Sequence, residues 1–136
     1  MVDSLTPEER SKRMALIRGK NTKPELIVRR LVFSLRYRYR LHDRTLPGRP
    51  DMVFKGRRKV IFTHGCFWHL HGQGCPLTRL PKSRVEYWRE KLEANVKRDR
   101  EQQAALRALG WDFLIVWQCE LKDLDGLARR VRDFLG

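Results

Sequence analysis

The sequence predicts an α/β protein in which a mixed β-sheet is flanked by helices, and three observations predict it. Two short apolar runs, Met52 to Phe54 and Val60 to Phe62, are joined by the tight connection Lys55-Gly56-Arg57-Arg58 and read as an antiparallel hairpin. A third apolar run, Trp111 to Trp117, reads as a mostly buried strand. Amphipathic helical patterns precede, separate and follow these runs. The order is ααββαβα, without repeat or linker, and 136 residues suit one domain spanning 1–136.

Each element carries its own signal. Thr6-Pro7-Glu8-Glu9 combines an N-cap, a first-turn proline and a capping-box glutamate, so a helix starts there and ends near Gly19. Thr22-Lys23-Pro24-Glu25 repeats the signature and opens a second helix, with Ile27, Val28, Leu31, Val32 and Leu35 on one face. Leu46-Pro47-Gly48 is a turn ahead of the hairpin. Residues 70–82, with Gly72, Gly74, Pro76 and Pro81, form an irregular loop. Ser83 and Glu86 then read as a capping box for a helix reaching Leu109, about 40 Å long at 1.5 Å per residue. Gly110 stops it. Leu124, Leu127, Val131 and Phe134 mark a final amphipathic helix.

Charge narrows the function. The net charge is +14, and residues 1–50 alone hold 13 Lys/Arg against 5 Asp/Glu. Residues 111–136 hold 4 basic against 5 acidic side chains, so the excess is concentrated and points to a polyanion partner. No apolar run approaches the ~20 residues of a membrane span, and the N-terminus lacks the apolar stretch of a secretory signal. A cytoplasmic protein that does not engage membranes is expected.

The chemistry gathers between Arg49 and His69. The hairpin would bring Asp51, His64 and His69 together beside Cys66, Phe67 and Trp68. Asp51 suits a magnesium ligand, because Mg²⁺ commonly takes one or two carboxylates and completes its shell with water and phosphate oxygens. His64 and His69 are candidates for proton transfer near neutral pH. Glu25 reads first as a capping-box residue, and it could also accept a hydrogen bond from an active-site histidine or a metal-bound water. Cys66, Cys75 and Cys119 with one histidine could form a tetrahedral zinc site. Spacing leaves open whether that histidine is His69 or His71. Along the long helix, Arg84, Trp88, Lys91, Asn95 and Arg98 fall on one stripe, with Leu92 and Val96 beside it and glutamates opposite. That segregation suggests a DNA-facing side, with Lys91 and Asn95 reaching phosphates or base edges.

At Pro50-Asp51 and at Phe62-Thr63-His64-Gly65-Cys66-Phe67-Trp68-His69 the chain closely resembles the very-short-patch repair (Vsr) mismatch endonucleases. The resemblance extends collinearly from Arg10-Ser11-Lys12 and Met14, through Leu46-Pro47-Gly48-Arg49, to Glu86-Tyr87-Trp88, Lys91, Asn95 and Arg98-Asp99-Arg100. It continues into Leu109-Gly110-Trp111 and Leu114 to Trp117. The resemblance implies a restriction-endonuclease-like fold and a nick in duplex DNA 5′ to the thymine of a T:G mismatch left by deamination of 5-methylcytosine. It implies Mg²⁺ on Asp51 and the Thr63 carbonyl, proton transfer by His69, and support from His64 and Glu25. It implies a structural Zn²⁺ on Cys66, His71, Cys75 and Cys119. It further implies that Phe67, Trp68 and Trp88 wedge into the DNA, with Met14 of the helix within residues 1–20 approaching from the other side. Lys12, Lys91, Asn95 and Arg98 would add DNA contacts. A monomer, with mismatch-repair proteins as possible partners, is the accompanying expectation.

Overall fold

The computed structural model describes residues 22–72, 75–78, 80 and 82–136. The helix expected before residue 20, with Lys12 and Met14, lies outside the described residues. Helix α1 (Lys23–Ser34) begins where Thr22 accepts a hydrogen bond from the Glu25 amide at 3.4 Å, with Pro24 in the first turn, where its missing N–H costs nothing. Val28 and Val32, one turn apart, are fully buried beneath it.

A short strand, β1 (Arg40–Leu41), was not anticipated, because two residues carry no periodic signal. It pairs antiparallel with β2 (Met52–Phe54), and just beyond the pair the His42 amide donates to the Asp51 carbonyl at 3.3 Å. The expected turn precedes β2: the Arg49 amide donates to the Leu46 carbonyl at 3.3 Å, and Gly48 has φ +81°. A Cβ at Gly48 would also lie 3.1 Å from the Phe62 ring, so glycine is required twice over. Strand β2 pairs antiparallel with β3 (Lys59–His64), as the hairpin reading requires. Strand β4 (Asp112–Trp117) pairs parallel with β3, setting Lys59 opposite Asp112 and His64 opposite Trp117. The sheet order is β1-β2-β3-β4.

Between β3 and β4 runs the long helix α2 (Val85–Ala108), the kind of crossover a parallel pair needs. Its end is as expected. The Gly110 and Trp111 amides donate to the Arg107 and Leu106 carbonyls, each at 3.0 Å, and Gly110 takes φ +84°. That is a Schellman stop. Its start is not. Helix α2 begins at Val85 behind a left-handed Arg84 (φ 55°), with no side-chain cap, so Ser83 does not act as the N-cap. The left-handed residue turns the chain before Ser83 enters the helical register. Helix α3 (Leu124–Leu135) is capped by Asp123, which accepts from the Gly126 amide at 3.0 Å.

Strand alternation divides the core. Met52, Phe54, Ile61 and Val116 face α1 and α3, where Val28, Val32, Leu127, Val131 and Leu135 complete one cluster. Val53, Val60 and Phe62 face the other way, onto Leu106 of α2. Each fully buried aliphatic side chain contributes roughly 1.5–3 kcal/mol. The sheet is therefore clamped between helices on both faces. Its end opposite the hairpin turn, where the chemistry-bearing residues lie, is held by backbone pairing on both sides of β2 and of β3.

Candidate active site

Three groups of side chains meet at the ends of β2, β3 and β4. The first surrounds Asp51, the residue before β2. Its Oδ2 accepts the Thr63 amide at 2.6 Å. Glu25 enters from α1 and His42 from the end of β1, with Nε2 of His42 3.3 Å from Glu25 Oε2 and 3.9 Å from Asp51 Oδ1. Arg29, one turn beyond Glu25, donates to the same Glu25 oxygen at 3.2 Å and lies 3.3 Å from His42 Nε2. The Glu25 carboxylate is thus drawn sideways into the site while its own amide serves the helix cap. His42 holds a left-handed backbone (φ 48°), a conformation costing on the order of 1 kcal/mol and tolerated better by histidine than by most residues.

Burial pushes the Asp51 carboxyl up to about 7; the Thr63 amide opposes this and the Glu25 charge adds to it. A divalent cation would reverse that rise by pairing with the carboxylate. The Thr63 hydroxyl is buried without a hydrogen-bond partner in the described structure. A buried carboxylate held near protonation, beside an orphaned oxygen and a strand-end backbone, fits the oxygen-donor shell of Mg²⁺.

The second group is His64, His69 and Asp99. His69 Nδ1 lies 2.6 Å from Asp99 Oδ2, and its ring stacks on His64 at 3.7 Å and 8°. With Nδ1 committed to the carboxylate, Nε2 is the nitrogen left for exchange with a ligand. His64 is different. Burial first, then the adjacent His69 ring, pushes it down to about 3, and its Nδ1 is buried without a partner among the described residues. Burial thus favours the neutral form of this ring, which lies flat against His69.

The third group is Cys66, His71, Cys75 and Cys119, whose ligand atoms all lie within 4.8 Å of one another. A tetrahedral ion with metal–sulfur bonds of about 2.3 Å spaces its ligand atoms by roughly 3.5–3.8 Å. Cys119 Sγ is 3.2 Å from His71 Nδ1, and Cys66 Sγ accepts the Cys119 amide at 3.4 Å. Burial pushes the Cys66 thiol up to about 12 and raises Cys119 as well, so a cation is what would make them thiolates. Three sulfurs and an imidazole are the donor set of structural zinc. His71 is the histidine in this group, while His69 belongs to Asp99.

Outside these groups stands an aromatic trio. Phe67, Trp68 and Trp88 have ring centroids 5.1, 5.6 and 5.9 Å apart. Tyr87 flanks Trp88 at 5.3 Å, and the Lys91 ammonium lies 5.9 Å from both rings. Asn95 does not join the outer stripe expected of it. It is buried on the inner face of α2 with Leu92, and its Nδ2 donates to the Trp68 carbonyl at 3.2 Å. The helix is rotated so that positions 92, 95 and 99 face the loop after β3. A cavity of about 600 Å³ opens among these parts, lined by Glu25, Thr63, His69, Asp99, Arg98, Phe67 and Trp68 among others.

Carboxylates, an imidazole paired to a carboxylate, and stacking rings around one cavity are the parts of a nuclease. A family model described as DNA mismatch endonuclease Vsr matches residues 2–75. The chain belongs to the Vsr family. It is 54% identical over 135 residues to the Type II nicking enzyme V.XorIIP of Xanthomonas oryzae pv. oryzae, covering 99% of this chain and 98% of the relative. It is 43% identical over 127 residues to the DNA mismatch endonuclease Vsr of Escherichia coli K12, covering 93% and 80%. The Type II nicking enzyme V.NmeAIP of Neisseria meningitidis is 38% identical over 140 residues, covering 98% and 99%. This Vsr-family chain is accordingly a DNA endonuclease.

His42 and Asp99 are the site residues that sequence reasoning missed. His42 sits in Arg40-Leu41-His42-Asp43 with no spacing motif, and only strand pairing sets it against Asp51. Asp99 was visible as an acid in an otherwise basic turn, Arg98-Asp99-Arg100, though nothing local tied it to His69.

Proposed function

We propose that the chain nicks one strand of duplex DNA 5′ to the thymine of a T:G mismatch left by deamination of 5-methylcytosine, initiating very-short-patch repair. The observation that carries this reading is the joining of the catalytic cavity to the aromatic trio through residues 63–69, within a Vsr-family chain. One restriction-endonuclease-like domain spanning 1–136, a monomer working in the cytoplasm on chromosomal DNA and open to mismatch-repair partners, completes the proposal. Among the described residues no helix is long and apolar enough to cross a membrane.

In this mechanism Asp51 and the Thr63 carbonyl would hold Mg²⁺, which supplies charge neutralisation at the scissile phosphate when bound. Glu25, steadied by Arg29 and His42, lines the cavity where a water would be oriented. His69 moves a proton at Nε2 while Asp99 holds its tautomer, and His64 fixes the plane of its ring. Arg98 at the cavity rim and Lys91 beside the trio attract phosphates. The products are a 5′-phosphate and a 3′-hydroxyl. Cys66, His71, Cys75 and Cys119 would hold a structural Zn²⁺, which would tie the end of β4 to the loop.

Phe67, Trp68 and Trp88 wedge between base steps, and Asn95 steadies the Trp68 backbone from behind. A T:G wobble stacks less well than a proper pair, so opening it costs less of the few kcal/mol that unstacking requires. Trp88→Ala is expected to lower affinity for a T:G duplex by about tenfold while changing affinity for matched DNA little, as base stacking is worth ~1–3 kcal/mol. Fluorescence anisotropy on both duplexes reads this, and an equal loss on both would remove the wedge.

The test of the activity is a strand-resolved nicking assay on end-labelled duplexes carrying each mismatch, with Mg²⁺ or EDTA. The expected product is a Mg²⁺-dependent cut 5′ to T in T:G only. Equal cutting of matched DNA sinks the proposal. A second reading is a nicking enzyme of other or broader site preference, favoured by the higher identity to V.XorIIP than to the Escherichia coli enzyme. Varying the flanking bases in the same assay separates the two.

A further inference from the structure

We propose that Trp117 is a positioning residue for His69, acting through the ring of His64. The inference rests on the nuclease reading of the site given above. Trp117 ends β4, directly opposite His64 at the end of β3. One face of its indole stacks on His71 at 4.1 Å and 15°. Its edge relation to His64 is 5.3 Å and 81°. His64 then stacks on His69, and His69 is bound to Asp99. Four rings from three segments form one continuous column between the Cys/His cluster and the nitrogen that faces the cavity.

Two features make the column more than core packing. The His69 ring has a single hydrogen bond among those described, from Nδ1 to Asp99, and one bond leaves a ring free to tilt about it. The flat contact with His64 sets the plane. His64, in turn, has a buried Nδ1 without a partner among the described residues, so hydrogen bonding there does not orient it. Its orientation comes from its ring neighbours, Phe62 at 5.6 Å on the same strand and Trp117 on the next. Trp117 is itself well fixed, since its amide donates to Glu120 Oε1 at 3.0 Å and its other ring contact is a residue of the Cys/His cluster. The direction of Nε2 of His69 therefore depends on a tryptophan that lies outside the cavity lining.

The test compares Trp117→Leu and Trp117→Phe with Trp111→Leu, which removes an indole from the same face of the sheet at the far end of β4, away from His64. Zinc content, affinity for a T:G duplex in EDTA, single-turnover nicking and histidine-selective imidazole NMR are measured on each. Only four histidines are present, so the spectrum is resolvable. For Trp117→Leu the expected pattern is parent-like zinc content and duplex affinity, shifted His69 ring signals, and a nicking rate lower by about tenfold to a hundredfold, the range that small misplacement costs. Trp117→Phe, which keeps an aromatic face, recovers most of the rate, and Trp111→Leu leaves the His69 signals where they are. A parent-like rate with unmoved His69 signals in Trp117→Leu overturns the proposal. If that variant does not fold, Trp117→Met, which also removes the aromatic face, decides: displaced His69 signals support the role, and signals identical to the parent overturn it. Should the parent fail to nick T:G duplexes, the functional reading falls, while the His69 signals still decide this one.

Discussion

Asp51→Asn is expected to abolish nicking, by roughly a thousandfold or more, while leaving affinity for a T:G duplex close to that of the parent. The carboxylate is the anionic oxygen donor held against the end of β3 by the Thr63 amide at 2.6 Å. Asparagine preserves that hydrogen bond and the volume but removes the charge that holds a divalent cation. The same change should stabilise the fold. Burial has raised Asp51 to about 7 from an unfolded value of about 3.9. A raised carboxyl favours the protonated folded state, so this stabilisation is complete below pH ~4 and is lost as pH climbs through about 7. At pH 8 without added divalent cation the variant should therefore be more stable than the parent, by on the order of 1–3 kcal/mol. Adding Mg²⁺ should raise the Tm of the parent and not of the variant. Thermal melts with and without Mg²⁺, run beside the nicking assay, check all three statements. Residual nicking near the parental rate would remove Asp51 from the mechanism.

Cys119→Ser carries the second large effect, and it falls on the fold. Cys119 follows β4 and meets His71 and Cys66 of the loop after β3, so a metal there closes a link between segments far apart in sequence. Losing one thiolate from a structural zinc site removes several kcal/mol. In a chain this size that corresponds to a fall in Tm on the order of 10 °C. The variant should also lose stoichiometric zinc, and chelation of the parent should reproduce the melt of the variant. Parent protein purified without zinc, yet melting as high as zinc-loaded parent, would reduce the cluster to three free thiols and a histidine. Because Trp117 stacks on His71, nicking should decline along with stability.

Much of this arrangement is legible in the chain. Thr22-Lys23-Pro24-Glu25 announces a helix start, Gly110 a helix stop, and the apolar runs Met52 to Phe54 and Val60 to Phe62 with their tight connection a hairpin. Local backbone chemistry dictates each, and each is found. The three cysteines with one histidine were legible as a donor set, while spacing left His69 and His71 both open as the fourth member. Ser83 shows where local rules give way, since a left-handed Arg84 displaces the cap they specify. Asn95 shows the same for helical faces: helical spacing placed it on a DNA-facing stripe, and the packing of α2 against the loop buried it against the Trp68 carbonyl.

The sequence by itself determined the inventory: which donors, rings and charges exist, and which short elements carry them. These follow from periods of two and 3.6 residues, capping and turn chemistry, all of which act over a few residues. Only the tertiary structure decided how the inventory is used. Register between β1 and β2 set His42 against Asp51. The rotation of α2 gave Asp99 to His69 and left His71 to the cysteines. Burial made His64 a neutral wall. Pairing register and desolvation depend on residues distant in sequence, and no local pattern encodes them.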